Sequence, residues 1–186
     1  MVFTAGGNCS GKTTIVRLSG ASSAAHAVFD STFSDTEHAR RLVVQALESG
    51  KHVVIQHVYR PLREAFQGML ERSRTEGRVV SIRQMIHSQR GAATTVRNLQ
   101  RAFGDDPRVS FQFFDNSGGA PREIPVPRQL SDAASGYTEA SDILHAILDS
   151  EHRQRRISDD ARHKIRGSGD TGSHEKIQGS GKPEGG

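Results

Sequence analysis

The chain has 186 residues, enough for one domain with an apolar core of its own. It carries 25 Lys and Arg against 21 Asp and Glu, and this net charge of +4 is compatible both with a nucleic-acid binder and with an enzyme that grips phosphates. A single cysteine excludes a disulfide framework, and no apolar stretch reaches the ~18 residues of a membrane span. We therefore expect a cytoplasmic protein without a membrane partner.

The first predicted strand, residues 2–5, runs directly into the sequence Gly-Gly-Asn-Cys-Ser-Gly-Lys-Thr, which has the G-x-x-x-x-G-K-[ST] spacing of a phosphate-binding loop. Glycines allow successive N–H groups to turn inward around a phosphate. Lys12 would neutralise the β- and γ-phosphates, and Thr13 would place its hydroxyl on Mg²⁺. The helix that follows adds the positive end of its dipole. We predict a site for ATP and Mg²⁺ formed by Gly6, Gly7, Asn8, Cys9, Ser10, Gly11, Lys12, Thr13 and Thr14.

The second predicted strand, residues 27–29, ends at an acidic residue, Asp30. In a parallel sheet, ligands bind at the carboxyl ends of the strands. A carboxylate there could hold Mg²⁺ through water, hydrogen-bond an acceptor substrate or accept its proton. The alternative is a turn cap in front of Ser31. Asp30 is therefore a candidate catalytic residue.

Helical and strand patterns alternate along the next part of the chain. A capping box at residues 34–37 opens a helix that Gly50 ends, and a helix over residues 62–76 follows the strand at residues 53–58. A second helical tract covers residues 82–103, with a break expected near Gly91, before the strand at residues 109–114. This alternation predicts a three-layer α/β domain with a parallel sheet, as in phosphate-loop NTPases and kinases.

Arginines are concentrated between Arg60 and Arg108, in a largely helical segment that precedes the last core strand. Guanidinium groups supplied by a mobile lid would stabilise the charge that develops on a transferred phosphoryl group. The alternative is a solvated helix face with pairs such as Glu71 and Arg74. The arginines concerned are Arg72, Arg74, Arg78, Arg83 and Arg90.

The last third of the chain has weaker patterns. Asn116, in the Asp-Asn-Ser turn after the last strand, either frames the nucleotide site or only forms the turn. Three prolines suggest an extended connector, and residues 137–148 predict an amphipathic helix with four apolar side chains inward. We expect a domain over residues 1–150 and a charged, Gly/Ser-rich, disordered tail over residues 151–186. The prolines are Pro121, Pro125 and Pro127, and the inward residues are Ile143, Leu144, Ile147 and Leu148.

The order of these segments resembles the zeta toxin family of phosphate-loop kinases. The resemblance covers roughly residues 1–118: the loop with its strand, the Val-Phe-Asp-Ser-Thr segment around Asp30, and the helix end Gln-Ala-Leu-Glu-Ser-Gly-Lys at residues 45–51. It continues through residues 58–61, residues 77–80, His87 and residues 106–109. The loop is specific to phosphate-loop proteins in general, whereas the later segments indicate this family only as an ordered set.

The resemblance implies ATP-dependent phosphorylation of the 3′-hydroxyl of the amino sugar in UDP-N-acetylglucosamine. Lys12 and Thr13 would hold the triphosphate and Mg²⁺, and Asp30 stands where the family has an acidic residue of the substrate site. Arg78 matches a phosphate-gripping lid arginine, and Arg72 is a looser match to the other. The implied partners are a nucleotide-sugar substrate and an antitoxin protein, and nucleic acid is not an expected partner.

The chain departs from the family pattern between the first helix and Asp30. The family has a further strand there with an Asp general base, whereas this chain has only residues 19–26. Either the base and the sugar pocket come from elsewhere, such as a missing N-terminal region of a longer protein, or the chain has kept the nucleotide site and lost the full reaction. A nucleotide-binding module and a nucleic-acid-associated NTPase therefore stay open as alternatives.

Overall fold

The computed structural model describes residues 1–20, 25–118, 120–125 and 137–167. The strands are β1 (Val2–Ala5), β2 (Val28–Phe29), β3 (Val53–Tyr59), β4 (Val109–Asp115) and β5 (Arg122–Ile124). The helices are α1 (Lys12–Leu18), α2 (Thr36–Glu48), α3 (Leu62–Thr75), α4 (Ile82–Phe103), α5 (Tyr137–Arg153) and α6 (Asp159–Arg166). Among these helices none is long and apolar enough to span a bilayer.

The five strands form one sheet in the order β2-β1-β3-β4-β5. The first four are mutually parallel, with Phe3 of β1 paired to Phe29 of β2 and to Ile55 of β3, so the predicted parallel sheet is confirmed. β1 lies between β2 and β3, and its carboxyl end therefore has a strand end on each side.

β5 was not predicted, because the prolines around it suggested an extended connector. Residues 122–124 instead pair antiparallel with β4, and Ile124 is opposite Phe113. The segment lies between Pro121 and Pro125, so its own N–H groups remain able to pair with the free edge of β4. Pro127 lies outside the described residues.

Helices cover both faces of the sheet, which gives the predicted three layers. On one face, α2 and the second half of α4 pack on β1, β3 and β4 through a first apolar cluster that includes Phe3, Ile55 and Phe113. On the other face, Ile15 of α1 contacts Val58 and Phe114. Because side chains alternate along a strand, the odd-numbered residues of β3 lie on one face of the sheet and the even-numbered residues lie on the other.

α4 is continuous over 22 residues, so the break expected near Gly91 is wrong. The glycine is there for a different reason. A Cβ built on Gly91 would lie 2.6 Å from the carbonyl oxygen of Ser34 and 2.8 Å from its Cβ. Gly91 therefore allows the segment that follows β2 to approach the helix backbone closely.

We expect Gly91→Ala to destabilise the protein although alanine is the better helix former. The gain in helix propensity is about 1 kcal/mol, whereas overpacking against a backbone oxygen costs about 1–3 kcal/mol. Urea titration should show a lower free energy of unfolding. Gly68→Ala in α3 is the matched control, because the nearest atom to its new Cβ is an arginine Nη1 at 3.4 Å. An unchanged or increased stability of Gly91→Ala would contradict the close approach.

A second apolar cluster joins α3, the first half of α4, α5 and α6. Leu144 and Leu148 are buried in it as predicted, and Ile147 packs against it, whereas Ile143 is 41% exposed and was wrongly assigned to the inner face. Ile157 and Ile165 also belong to this cluster. The packed structure thus continues past residue 150, because isolated isoleucines in a highly charged segment supply core contacts. Residues 168–186 lie outside the described residues.

Candidate functional site

The predicted phosphate loop connects β1 to α1 and depends on glycines at its two ends. Gly6 has φ 149° and Gly11, the N-cap of α1, has φ 95°, both in the region that favours glycine. A Cβ on Gly6 would lie 2.7 Å from the carbonyl oxygen of Val58, and one on Gly11 would lie 2.2 Å from the Asn116 side-chain nitrogen. The loop therefore turns tightly into the helix, whose first N–H groups have no acceptor within it and are available to an anion.

Side chains from two other elements brace the loop. The backbone N–H and the side-chain amide of Asn8 both donate to Ser88 Oγ of α4, each at 3.1 Å. The Asn116 side chain, just after β4, donates to the Ser10 carbonyl at 2.8 Å. Of the two interpretations of the Asp-Asn-Ser turn, the structure favours the one in which it frames the loop.

The Lys12 ammonium donates to the carbonyl oxygens of Gly6 and Gly7 at 3.1 and 3.0 Å. Burial lowers the pKa of Lys12, the negative charge of Asp30 opposes this, and the nearby Arg72 guanidinium lowers the pKa further. The Lys12 side chain thus lies near a second basic side chain, and its hydrogen-bond acceptors are neutral carbonyls. Phosphate oxygens would be stronger acceptors for it, because charge-assisted hydrogen bonds are about twice as strong as neutral ones.

Asp30 lies next to the loop, as its position at the end of β2 predicted. One carboxylate oxygen accepts a hydrogen bond from the Thr13 hydroxyl at 3.0 Å, and the other accepts one from the Thr4 hydroxyl at 2.9 Å. A hydroxyl beside a carboxylate is a set of hard oxygen donors, which is the kind that Mg²⁺ prefers. The residues present therefore fit the predicted metal, which the Thr13 hydroxyl would hold with Asp30 beside it.

The arginines differ in how close they lie to the loop. Arg72 Nη1 of α3 lies 3.9 Å from the Cys9 sulfur, so this predicted residue is beside the loop. Arg60, which the sequence did not single out, donates through Nη1 to the Cys9 carbonyl at 3.2 Å. It directly follows β3, the neighbour of the loop strand, and the rule that picked Asp30 could have found it. Arg78 is not brought to the loop: its side chain is 79% exposed and forms a 3.9 Å ion pair with Glu76.

Three further residues at the loop were missed. Gln89 of α4 abuts Gly7, where a Cβ would lie 2.6 Å from its Oε1, and its side-chain nitrogen donates to the Arg60 carbonyl. Ser88 and Gln89 carry no sequence signal, because only tertiary packing brings α4 to the loop. Thr4 does carry a signal, since a polar residue inside a short buried strand needs a hydrogen-bond partner.

His57 of β3 is buried at the same end of the sheet, with its ring centroid 6.2 Å from that of Phe113. Burial lowers the pKa of His57 to about 4, and the positive charge of Lys12 contributes to this. The Nδ1 atom has no hydrogen-bond partner within the described residues. The imidazole is therefore neutral at pH 7, which avoids a further positive charge near Lys12.

This buried histidine predicts a pH-dependent stability. The pKa of His57 in the folded chain, about 4, is below the ordinary value of 6.5, so between these values the unfolded chain binds the proton first. The contribution of the neutral His57 side chain to the free energy of unfolding is complete above pH 6.5 and is lost as the pH falls toward 4. Between pH 7 and pH 5 the loss should be about 2 kcal/mol.

Urea titrations at the two pH values measure this loss. His57→Gln should remove most of it, whereas His38→Gln, at an exposed position of α2, should not. An equal loss of stability in wild type and His57→Gln would show that other groups cause the pH dependence.

The sequence model that describes the zeta toxin family matches residues 22–120, more than half of the 186 residues. The chain belongs to the zeta toxin family. Membership agrees with the resemblance drawn from the ordered motifs. The match begins after the phosphate loop of this zeta toxin family member, so the assignment of that loop rests on its spacing and geometry.

Solved structures share the fold of this zeta toxin family member. A chain in the native AvrRxo1-ORF1:AvrRxo1-ORF2 complex matches it with a TM-score of 0.54 and 14% identity, over 66% of this chain and 56% of that one. The same complex with sulphate ions gives a TM-score of 0.58 and 13% identity, over 89% and 73% of the chains. The complex was also crystallised with ATP, with a TM-score of 0.55 over the same shares as the native form. The chain thus spans little more than half of the first of these relatives, and no curated protein matches it significantly.

Proposed function

We propose that this zeta toxin family member is an ATP-dependent kinase that transfers the γ-phosphoryl group to a hydroxyl of a nucleotide sugar such as UDP-N-acetylglucosamine. The observation that carries the proposal is the 3.0 Å hydrogen bond between Asp30 and Thr13 of the phosphate loop. This contact supports the proposal, because Asp30 would be a proton acceptor beside the hydroxyl that would bind Mg²⁺, and so beside the reacting phosphoryl group.

Each residue of the loop has a role in this proposal. Lys12 and the backbone N–H groups of the loop bind the triphosphate, and Thr13 provides a hydroxyl ligand for Mg²⁺. The metal ion, when bound, neutralises charge on the β- and γ-phosphates. Asp30 orients the acceptor hydroxyl and accepts its proton. Arg72 stabilises charge on the phosphoryl oxygens, and Arg78 does so if its loop closes over the nucleotide.

In this proposal Asp30 is also the general base, which the family pattern has on a further strand and this chain does not have between residues 19 and 26. β2 is the direct neighbour of β1 in the sheet, so the carboxylate at its end is adjacent to the loop without an additional strand. Its hydrogen bonds to Thr4 and Thr13 hold it there. We therefore assign the role of general base to Asp30 rather than to a segment outside the chain.

The test is product formation. The protein is incubated with ATP, excess Mg²⁺ and UDP-N-acetylglucosamine, and the nucleotide sugar is analysed by mass spectrometry for one added phosphoryl group. Asp30→Asn is the control, because it keeps the shape of the site and removes the proton acceptor. ATP binding by the wild type without a phosphorylated sugar would overturn the proposed acceptor.

A nucleotide-binding module that has lost phosphotransfer is the second candidate. The observation that favours it is the short interval of residues 19–26 before Asp30, where the family pattern has a further strand with an Asp general base. A nucleic-acid-associated NTPase is less well supported, since several arginines are held in ion pairs. These include Arg74 with Glu151, Arg108 with Asp106 and Arg162 with Asp149.

A partner protein is also part of the proposal. The AvrRxo1-ORF1 relative was crystallised with AvrRxo1-ORF2, and on this analogy we propose that an antitoxin-like protein binds the present chain. The single cysteine and the kinase activity are compatible with the cytoplasm.

The arginine roles predict turnover effects without large changes in nucleotide binding. Arg72→Ala and Arg78→Ala should each lower kcat by roughly 10²-fold while the Kd for ATP changes little, because their contacts form chiefly in the transition state. Arg101→Ala, an exposed arginine at the far end of α4, is the control. Wild-type turnover in Arg78→Ala would exclude that residue from the reaction.

A further inference from the structure

We propose that Thr4 is a positioning residue that orients the Asp30 carboxylate toward Thr13 and so strengthens Mg²⁺-dependent ATP binding. The inference rests on the proposed function, because it assumes that Thr13 is a magnesium ligand. Thr4 lies within β1, before the phosphate loop begins, and the G-x-x-x-x-G-K-[ST] motif does not include it.

The environment of Thr4 requires hydrogen bonds. Its side chain is completely buried, and a buried hydroxyl without a partner is costly. Oγ1 accepts a hydrogen bond from the backbone N–H of Ser31 at 3.1 Å. Its own proton has three acceptors in reach: the Asp30 carboxylate at 2.9 Å, and the Phe29 and Ser31 carbonyls at 3.3 Å each. The carboxylate is the closest and the only charged one, so the proton belongs to that bond.

Thr4 thereby ties the end of β2 to β1 at the point where Asp30 leaves the sheet. Asp30 is itself exposed, and water could otherwise compete for both of its oxygens. With one oxygen held by Thr4, the other lies 3.0 Å from the Thr13 hydroxyl and accepts from it. Hydrogen bonds thus connect the three side chains in series, from Thr4 in the buried strand to Thr13, the proposed metal ligand.

Hydrogen bonds to a metal ligand affect how tightly a site binds its metal. A group that hydrogen-bonds a metal ligand fixes its orientation and makes it more basic, and loss of such outer partners typically costs about 10–100-fold in metal affinity. Asp30 is the outer partner of Thr13, and Thr4 holds Asp30 in place. ATP binding that does not involve the metal should not depend on Thr4.

Two substitutions separate positioning from packing. Thr4→Val keeps the branched shape and removes the hydroxyl, whereas Thr4→Ser keeps the hydroxyl and removes the methyl group. ATP affinity is measured by calorimetry for each full-length variant, once in excess Mg²⁺ and once in excess EDTA. We expect Thr4→Val to reduce the Mg²⁺-dependent gain in ATP affinity about 10-fold, with the affinity in EDTA unchanged. Thr4→Ser should stay within about 2-fold of the wild type, because it retains the hydrogen-bonding group.

Each other outcome overturns the inference in a recognisable way. A loss of affinity that is equal in Mg²⁺ and in EDTA would mean that Thr4 supports the loop as a whole. A larger defect in Thr4→Ser than in Thr4→Val would mean that the methyl group matters. If Thr4→Val weakens Mg²⁺-dependent binding further in an Asp30→Ala background, which has no side-chain acceptor for either threonine, the effect does not act through Asp30. Absence of any Mg²⁺-dependent gain in the wild type overturns the proposed function itself, and the inference with it.

Discussion

Lys12→Ala should abolish tight ATP binding. The Lys12 ammonium already makes hydrogen bonds of 3.0–3.1 Å to two loop carbonyls, so its side chain is directed into the site before a ligand arrives. Its removal leaves phosphate charge uncompensated, and charged hydrogen bonds of this kind contribute about 1.5–3 kcal/mol each. Calorimetry should show a Kd for ATP that is about 10²-fold higher, or no measurable binding.

The matched control for this variant is Lys51→Ala, which removes an exposed lysine located after α2. It should bind ATP as the wild type does, because its charge lies outside the loop and is screened by solvent. Unchanged affinity in Lys12→Ala would refute the assignment of the phosphate loop, whatever the sequence motif.

Asp30→Asn should lower turnover by about 10²–10⁴-fold, the range that general acid–base groups contribute. The amide oxygen can still accept a hydrogen bond from Thr13, so the loop should keep its shape, but the amide cannot take a proton from the acceptor. Single-turnover measurement with saturating ATP and UDP-N-acetylglucosamine isolates this step. ATP affinity should change much less than turnover.

Asp105→Asn, in the exposed turn after α4, controls for the loss of one negative charge and should keep full turnover. Wild-type turnover in Asp30→Asn would remove Asp30 from the base role. A defect in ATP affinity as large as the defect in turnover would place Asp30 in nucleotide binding instead of proton transfer.

The parts that the sequence predicted well depend on local chemistry. The phosphate loop needs glycines, a lysine and a threonine at fixed spacing, and these residues determine its geometry whatever packs around it. The apolar runs of β3 and β4 indicate strands that are buried on both faces, and such strands occur in parallel sheets. Asp30 could be placed at the site because the end of a parallel strand is a defined place in the fold.

The parts that it missed depend on tertiary contacts. Gly91 looked like a helix break, because nothing in the sequence shows that Ser34 would pack on it. The capping box suggested Ser34 as the N-cap of α2, whereas Asp35 fills that position and accepts from the His38 N–H at 2.9 Å. Ile143 fits an apolar stripe but points away from the cluster, since the helix face is selected by its neighbours.

The continuity of α4 has a consequence for how the molecule should unfold. Its first half places Ile82, Met85 and Ile86 in the cluster with α3, α5 and α6, and its second half places Val96 and Leu99 in the cluster against the sheet. One unbroken helix thus contributes side chains to both apolar clusters. Neither cluster should unfold without exposing the other, so the chain should lose its structure in a single cooperative transition. The phosphate loop is hydrogen-bonded to α4 through Ser88, which lies between the residues of the two clusters. A nucleotide bound to the loop would therefore raise the thermal midpoint of both cores together rather than protect only the segment that it touches.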